Sequence, residues 1–240
     1  MHTRGIAHKG FSGMRRVVDL FNFCVTCRHI LGLDIKTKQQ MKITKNQNDA
    51  VDDIVEMVVN VIGNGSREID TTEAISSTAR LAGSFLFRSF GFKINDAKPG
   101  TVILSEEANM KGPQLVNITH AVLNNFGIQI DNNKMSNLNQ KYAESNFLDI
   151  ISKMQVPALD IMKKRELSFE QMAQSAAIAT AFIIQQSSNI TPEEGFRIAI
   201  YHYIEGSKTN PPDINLVAEN GTMTKEEKNS NGQKKPWWKI

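Results

Sequence analysis

Two histidines and two arginines are the side chains in the body of this chain best suited to chemistry: Arg88, His120, Arg197 and His202. Histidine changes charge near neutral pH, and arginine grips a carboxylate or phosphate with a planar fork of donors. Each arginine interrupts an apolar region, and each histidine falls in the middle of a helical pattern. These four are the candidate ligand-binding residues, with no catalytic role assigned to any of them. The competing reading makes each histidine a hydrogen-bonded helical residue. It makes each arginine a surface side chain whose stem runs along apolar neighbours. Neither histidine belongs to His-Glu-x-x-His or Glu-x-x-His, and the acid nearest His202 is Glu205, three residues on. The spacing therefore implies no metal centre.

Other chemical signals are weaker. Cys24 and Cys27 form Cys-x-x-Cys, with His29 two residues beyond and His8 upstream. A redox pair needs a strand–helix setting that lowers one thiol's pKa, and a zinc site needs more ligands at regular spacing. Neither is evident, so two reduced thiols on an apolar patch is the preferred reading. Glu106 and Glu107 resemble an acid–base pair, but they follow Ser105 and suit the first turn of a helix, where carboxylates complement the dipole. There is no phosphate-cradling Gly-x-x-x-x-Gly-Lys loop and no Gly-x-Ser-x-Gly elbow. No cofactor is implied.

Both tryptophans, Trp237 and Trp238, lie close to the C-terminus among Lys234, Lys235 and Lys239. Adjacent indoles beside lysines suit a docking peptide or a membrane-interface anchor. The simpler alternative is a free tail whose indoles emit as in water. That alternative is the expectation here.

The elements that would position these residues read as helices. Val51, Ile54, Val55, Val58, Val59 and Ile62 recur at helical spacing, and Gly63-Asn-Gly65 is expected to end that helix in a left-handed turn. Asp70 and Glu73 form a capping-box pattern ahead of Ile75, Thr78, Ala79, Ala82, Phe85, Leu86 and Phe90, with Gly91 as the stop. Thr101–Leu104 is a short apolar run, expected as an isolated strand against Ile128–Ile130. A third helix is expected from near Pro113 to Gly127, and a fourth from about Asn139, which Pro157 must kink or divide. Ser168 and Gln171 cap the next helix. Thr191, Pro192 and Glu194 make the strongest helix start in the chain, and Gly206 with Pro211 and Pro212 ends that helix.

Residues 73–89 align with 170–186 at a constant offset of 97, matching Glu73 with Glu170, Ala79 with Ala176, Ala82 with Ala179 and Phe85 with Phe182. This raises an internal duplication of three-helix halves, 48–127 and 139–206. Two amphipathic helices also share a period without common ancestry. Small residues (Ala79, Ala82 and Gly83 in the first helix, Ala173, Ala176, Ala177, Ala179 and Ala181 in the second) predict that this pair sits at the centre. The expected fold is all-α, a bundle of six or seven helices over residues 41–212 with disordered terminal extensions.

Charge is unevenly placed. Residues 1–40 hold seven Lys and Arg against Asp19 and Asp34, so the overall net charge of +3 comes from this arm. The rest of the chain is near neutral and does not read as a nucleic-acid binder, which would concentrate basic residues on one face. The arm reads as an extension outside the core and resembles a transit peptide only loosely. Residues 213–240 are polar and read as a flexible tail. No window approaches the length of apolar run that spans a bilayer. A cytoplasmic helical binding protein, acting through an unknown protein partner or a small molecule, is the leading expectation. An enzyme with its site between the two halves is the first alternative. A peripheral membrane protein using the arm and the Trp-Trp tail is the second.

Overall fold

The computed structural model describes residues 43–63, 69–92, 97–136 and 145–214. Within them the chain is all-α, with seven helices: α1 (Lys45–Ile62), α2 (Thr71–Ser89), α3 (Glu106–Asn125), α4 (Asn132–Ser136), α5 (Phe147–Lys164), α6 (Phe169–Gln186) and α7 (Pro192–Lys208). The arm with Cys24, Cys27 and His29, and the tail with Trp237 and Trp238, lie outside the described residues.

Helix starts follow local chemistry. Thr44, Ser168 and Thr191 each close a full capping box with Gln47, Gln171 and Glu194 respectively. Each satisfies two amides that an uncapped helix leaves without partners. Asp70 accepts from the Glu73 amide at 2.9 Å, but Glu73 does not reach back. Its carboxylate instead accepts from the Ser145 amide at 3.2 Å, tying the start of α2 to the start of α5.

Helix boundaries depart from expectation in four places. Gly63 stays right-handed at φ −75°, whereas Gly91 (φ 65°) and Gly127 (φ 77°) are the left-handed caps. The helix expected to start near Pro113 starts at Glu106, because Ser105 accepts from the Ala108 amide at 3.1 Å. Pro113 then sits inside α3 on its solvent face, where a missing amide costs least. Gly206 does not end α7, which runs on to Lys208; its lack of a side chain serves packing instead. Pro157 lies within a continuous α5, whose start is at Phe147 behind Asn146 rather than near Asn139.

The expected pairing of Thr101–Leu104 with Ile128–Ile130 is also corrected. Val102 forms an antiparallel bridge with Thr209, flanked by Ile103 N donating to Lys208 O (2.7 Å) and Asn210 N donating to Thr101 O (2.9 Å). Ile128 N instead donates to Leu123 O at 3.0 Å, completing the Schellman cap of α3.

The alanine-rich pair is central, as its small residues predict. Every residue of α2 from Ala74 to Phe87 is buried, and α6 is buried along most of its length. The tightest crossing, however, is between α2 and α7. Gly83 and Gly206 meet backbone to backbone, and Ile75 lies against Gly195, so the two helices run in the same direction. Each of α1, α2 and α3 packs against α6, and α2 and α3 also pack against α7. At the periphery, Arg165 donates to Asp53 at 2.8 and 3.1 Å, clamping α5 to α1. Burial alone would raise the Asp53 carboxyl, but its hydrogen bonds and charge pairing with Arg165 and Lys164 hold it below the usual range.

Candidate functional site

The α2–α7 crossing brings an ion pair together beneath the surface. Arg80 stands on the inner face of α2 and is 4% exposed. Its Nε donates to Glu205 Oε2 at 2.7 Å, and its Nη1 donates to the Ser145 carbonyl at 2.7 Å. His202 Nδ1 lies 2.7 Å from the same Glu205 oxygen, one turn back along α7. Burial by itself raises the Glu205 carboxyl, but hydrogen bonds and charge from His202 and Arg80 hold it below the ordinary carboxylate range. His202 Nε2 is buried and has no hydrogen-bond partner among the described residues.

Glu205 is the link between this buried network and the surface. It borders an open groove of about 560 Å³ between the N-terminus of α5, the outer face of α7 and the Gly100–Val102 segment. Asn146, Phe147, Leu148, Tyr201, Ile204, Lys208 and Thr209 complete the walls. Tyr201, Ile204, Glu205 and Lys208 are spaced i, i+3, i+4, i+7, so they form one stripe of α7. His202, Tyr203 and Gly206 face the core from the other side. Tyr201 is 42%, Ile204 51% and Val102 62% exposed, so apolar side chains stand in solvent on both walls.

The four candidate residues do not line this groove. Arg88 at the end of α2 turns inward: its Nη2 donates to Gln155 Oε1 of α5 and, at 2.6 Å, to the Pro212 carbonyl. This corrects the surface reading of Arg88. Burial draws its guanidinium pKa down to about 10, against an opposing pull from Asp213. His120 is exposed on α3, with its ring 5.6 Å from that of Phe196 and its Nδ1 3.4 Å from Asn124 Nδ2. Arg197 donates to the Met135 carbonyl of α4 at 3.5 Å. Only His202 joins the buried network, and it does so through Glu205 rather than through the other three.

Another polar pair is structural. Tyr203 is 1% exposed, and its hydroxyl lies 2.6 Å from Thr119 Oγ1, which also contacts the Ala177 carbonyl at 3.1 Å. Burial raises the phenol's pKa despite hydrogen bonds to Thr119 and Thr180, so it stays neutral and locks α3, α6 and α7 together. Among the described residues no group of three or more His, Cys, Asp or Glu is placed to hold a metal ion. No helix among them is long and apolar enough to cross a membrane.

Sequence reasoning passed over Arg80. The signal was present, because Arg80 stands between Ala79 and Leu81 on an otherwise apolar and small-residue helix, as Arg88 does further along. A family-model scan finds no match, and neither the curated proteins nor the solved structures yield one.

Proposed function

We propose that this is a non-catalytic helical binding protein of the cytoplasm, whose groove beside α7 takes an apolar segment of a partner protein. One observation carries the reading: the exposed stripe of Tyr201 and Ile204 facing Val102 and Leu148 across an open groove. The fold does not need those apolar side chains outside, because the opposite face of α7 already supplies its core contacts. A small-molecule site would want several free polar groups converging on an enclosed cavity. Here the groove's carboxylate is already engaged by Arg80 and His202. The enzyme reading draws no support from Arg88, His120, Arg197 and His202, which have separate partners. The cytoplasmic placement rests on composition, since two cysteines do not make a disulfide scaffold.

The test is selection of a phage-displayed peptide library on the full chain. The expected result is enrichment of aromatic or aliphatic peptides whose binding is lost in Ile204→Glu and in Val102→Glu. Asn60→Glu, on the exposed face of α1, should leave binding intact. No enrichment, or peptides indifferent to both groove variants, refutes the reading.

A further inference from the structure

We propose that the chain's own C-terminal segment, through Trp237 and Trp238, occupies this groove when no partner does; the inference rests on reading the groove as a binding surface. The first argument is where the chain leaves the described fold. Asn210 is bonded to the groove's rim, with its carbonyl accepting from Gly100 N at 2.8 Å and its amide donating to Thr101 O at 2.9 Å. The Pro212 carbonyl is then held by Arg88, and Ile214, partly buried against the core, is four residues past Asn210. Four residues span at most about 14 Å, so the tail departs within that distance of the groove's rim.

Length and composition agree with that position. Residues 215–236, twenty-two in all, separate Ile214 from Trp237. A flexible chain of that length has a root-mean-square span of about 25 Å, enough to turn back on a groove near its own root. Such a tether holds the indoles at roughly millimolar effective concentration, so even weak docking is populated within one molecule. Trp237 and Trp238 supply adjacent flat apolar surface that matches the walls of Leu148, Tyr201, Ile204 and Val102. The groove's charges, Glu205 and Lys208, are of opposite sign, and Glu205 is also paired with Arg80, so selection rests on apolar area rather than on charge. Docking should therefore resist added salt.

The N-terminal arm is the less suitable occupant. It enters at the start of α1, and Asp49 there pairs with Arg165 at the far end of α5. The eighteen residues of α5 put roughly 27 Å between that end and the groove.

Tryptophan fluorescence tests the proposal in the intact chain, because both indoles lie in the tail. A free tail gives emission like indole in water. Docking predicts blue-shifted emission, shielded from iodide and independent of protein concentration. In Ile204→Glu and in Val102→Glu, both at exposed positions, the emission should move to the red and iodide protection should be lost, with far-ultraviolet circular dichroism unchanged. Asn60→Glu should behave like the parent. Water-like emission in the parent overturns the proposal, and so does blue emission indifferent to both groove variants. Emission that turns blue only as concentration rises overturns it in favour of docking into a second copy. The Trp237→Ser, Trp238→Ser double variant, used in the peptide selection, separates the two readings. Peptides that bind the groove while parent emission is water-like refute tail docking and leave the partner site standing. A docked tail with no selectable peptide refutes the partner site alone.

Discussion

Gly206→Ala probes the crossing on which the whole arrangement rests. A Cβ at Gly206 would lie 2.6 Å from the Arg80 carbonyl oxygen, 3.0 Å from Gly83 Cα and 3.1 Å from Ser84 N. All three are backbone atoms of α2, so no change of rotamer relieves the clash. A Cβ at Gly83 would meet Ser207 N at 2.7 Å and Gly206 backbone atoms at 2.8 Å. Ordinary contact begins near 3.4 Å, so the helices must part by up to about 0.8 Å. Protein interiors absorb such overpacking at roughly 1–3 kcal/mol. Against that, alanine is favoured over glycine in a helix by about 0.8–1 kcal/mol. Because backbone meets backbone, the upper part of that range, about 2–3 kcal/mol, applies. The expected net loss is therefore about 1–2 kcal/mol for either substitution, and the pair should be non-additive because both act on one contact. At roughly 2–4 °C per kcal/mol for a domain of this size, the unfolding midpoint should fall by about 2–8 °C.

Thermal and urea unfolding followed by far-ultraviolet circular dichroism read the effect directly. Gly112→Ala supplies the control, since among the described residues Ser207 Oγ at 3.7 Å is the only foreign atom within reach of a Cβ there. It should gain up to about 1 kcal/mol from helix propensity alone. A Gly206→Ala protein as stable as the parent, beside a Gly112→Ala protein that behaves as expected, would refute the close α2–α7 contact.

Three further outcomes follow from particular contacts. The Glu205 carboxyl is held low in the folded protein, so its contribution is complete above the ordinary carboxylate range and is lost as pH falls through the folded value. Glu205→Gln should cost about 1.5–3 kcal/mol at neutral pH, the worth of hydrogen bonds to a charged group, and urea midpoints of the two proteins should converge in acid. Glu166 takes φ 53° as the left-handed residue of a Schellman cap on α5, in which Leu167 N donates to Met162 O at 2.9 Å. Glu166→Gly should therefore raise stability by roughly 0.5–1 kcal/mol in the same urea assay, and a loss would argue against that cap. Deleting residues 1–40 should leave thermal unfolding cooperative, with a midpoint close to that of the parent. A broad, non-cooperative transition would mean that part of residues 1–40 belongs to the core.

Features set by neighbours in sequence were legible in advance. Ser168 and Thr191 announce their capping boxes because the partner amide and side chain lie three residues away. The central place of α2 and α6 followed from their small residues. Glu73 shows where such reasoning ends: its spacing from Asp70 fits a box, yet a tertiary partner, Ser145, takes the carboxylate. The site was largely invisible for the same reason. Arg80 and Glu205 are 125 positions apart, and nothing local to either predicts the other. Gly206 misled because a glycine near a helix end has two uses, and close packing against Gly83 claims it instead of a left-handed cap. Thr101–Leu104 met Thr209 rather than Ile128 because strand pairing depends on where the helices deliver the chain, and one bridge carries too little pattern to reveal its partner.

The two faces of α7 are mechanically joined. Gly206 allows α2 close enough for Arg80 to reach Glu205, and Glu205 sits on the same stripe as Tyr201 and Ile204. Arg80 also grips the Ser145 carbonyl, immediately before the Asn146–Leu148 wall of the groove. One buried guanidinium thus holds both walls in register, so the geometry of the apolar surface depends on the packing beneath it. Apolar residues of similar volume at such a crossing are often no less stable. A purely apolar crossing would bury the same area without fixing the separation of α5 from α7. The directional bonds of Arg80 tie Glu205 of α7 to Ser145 ahead of α5, the two elements that flank the groove.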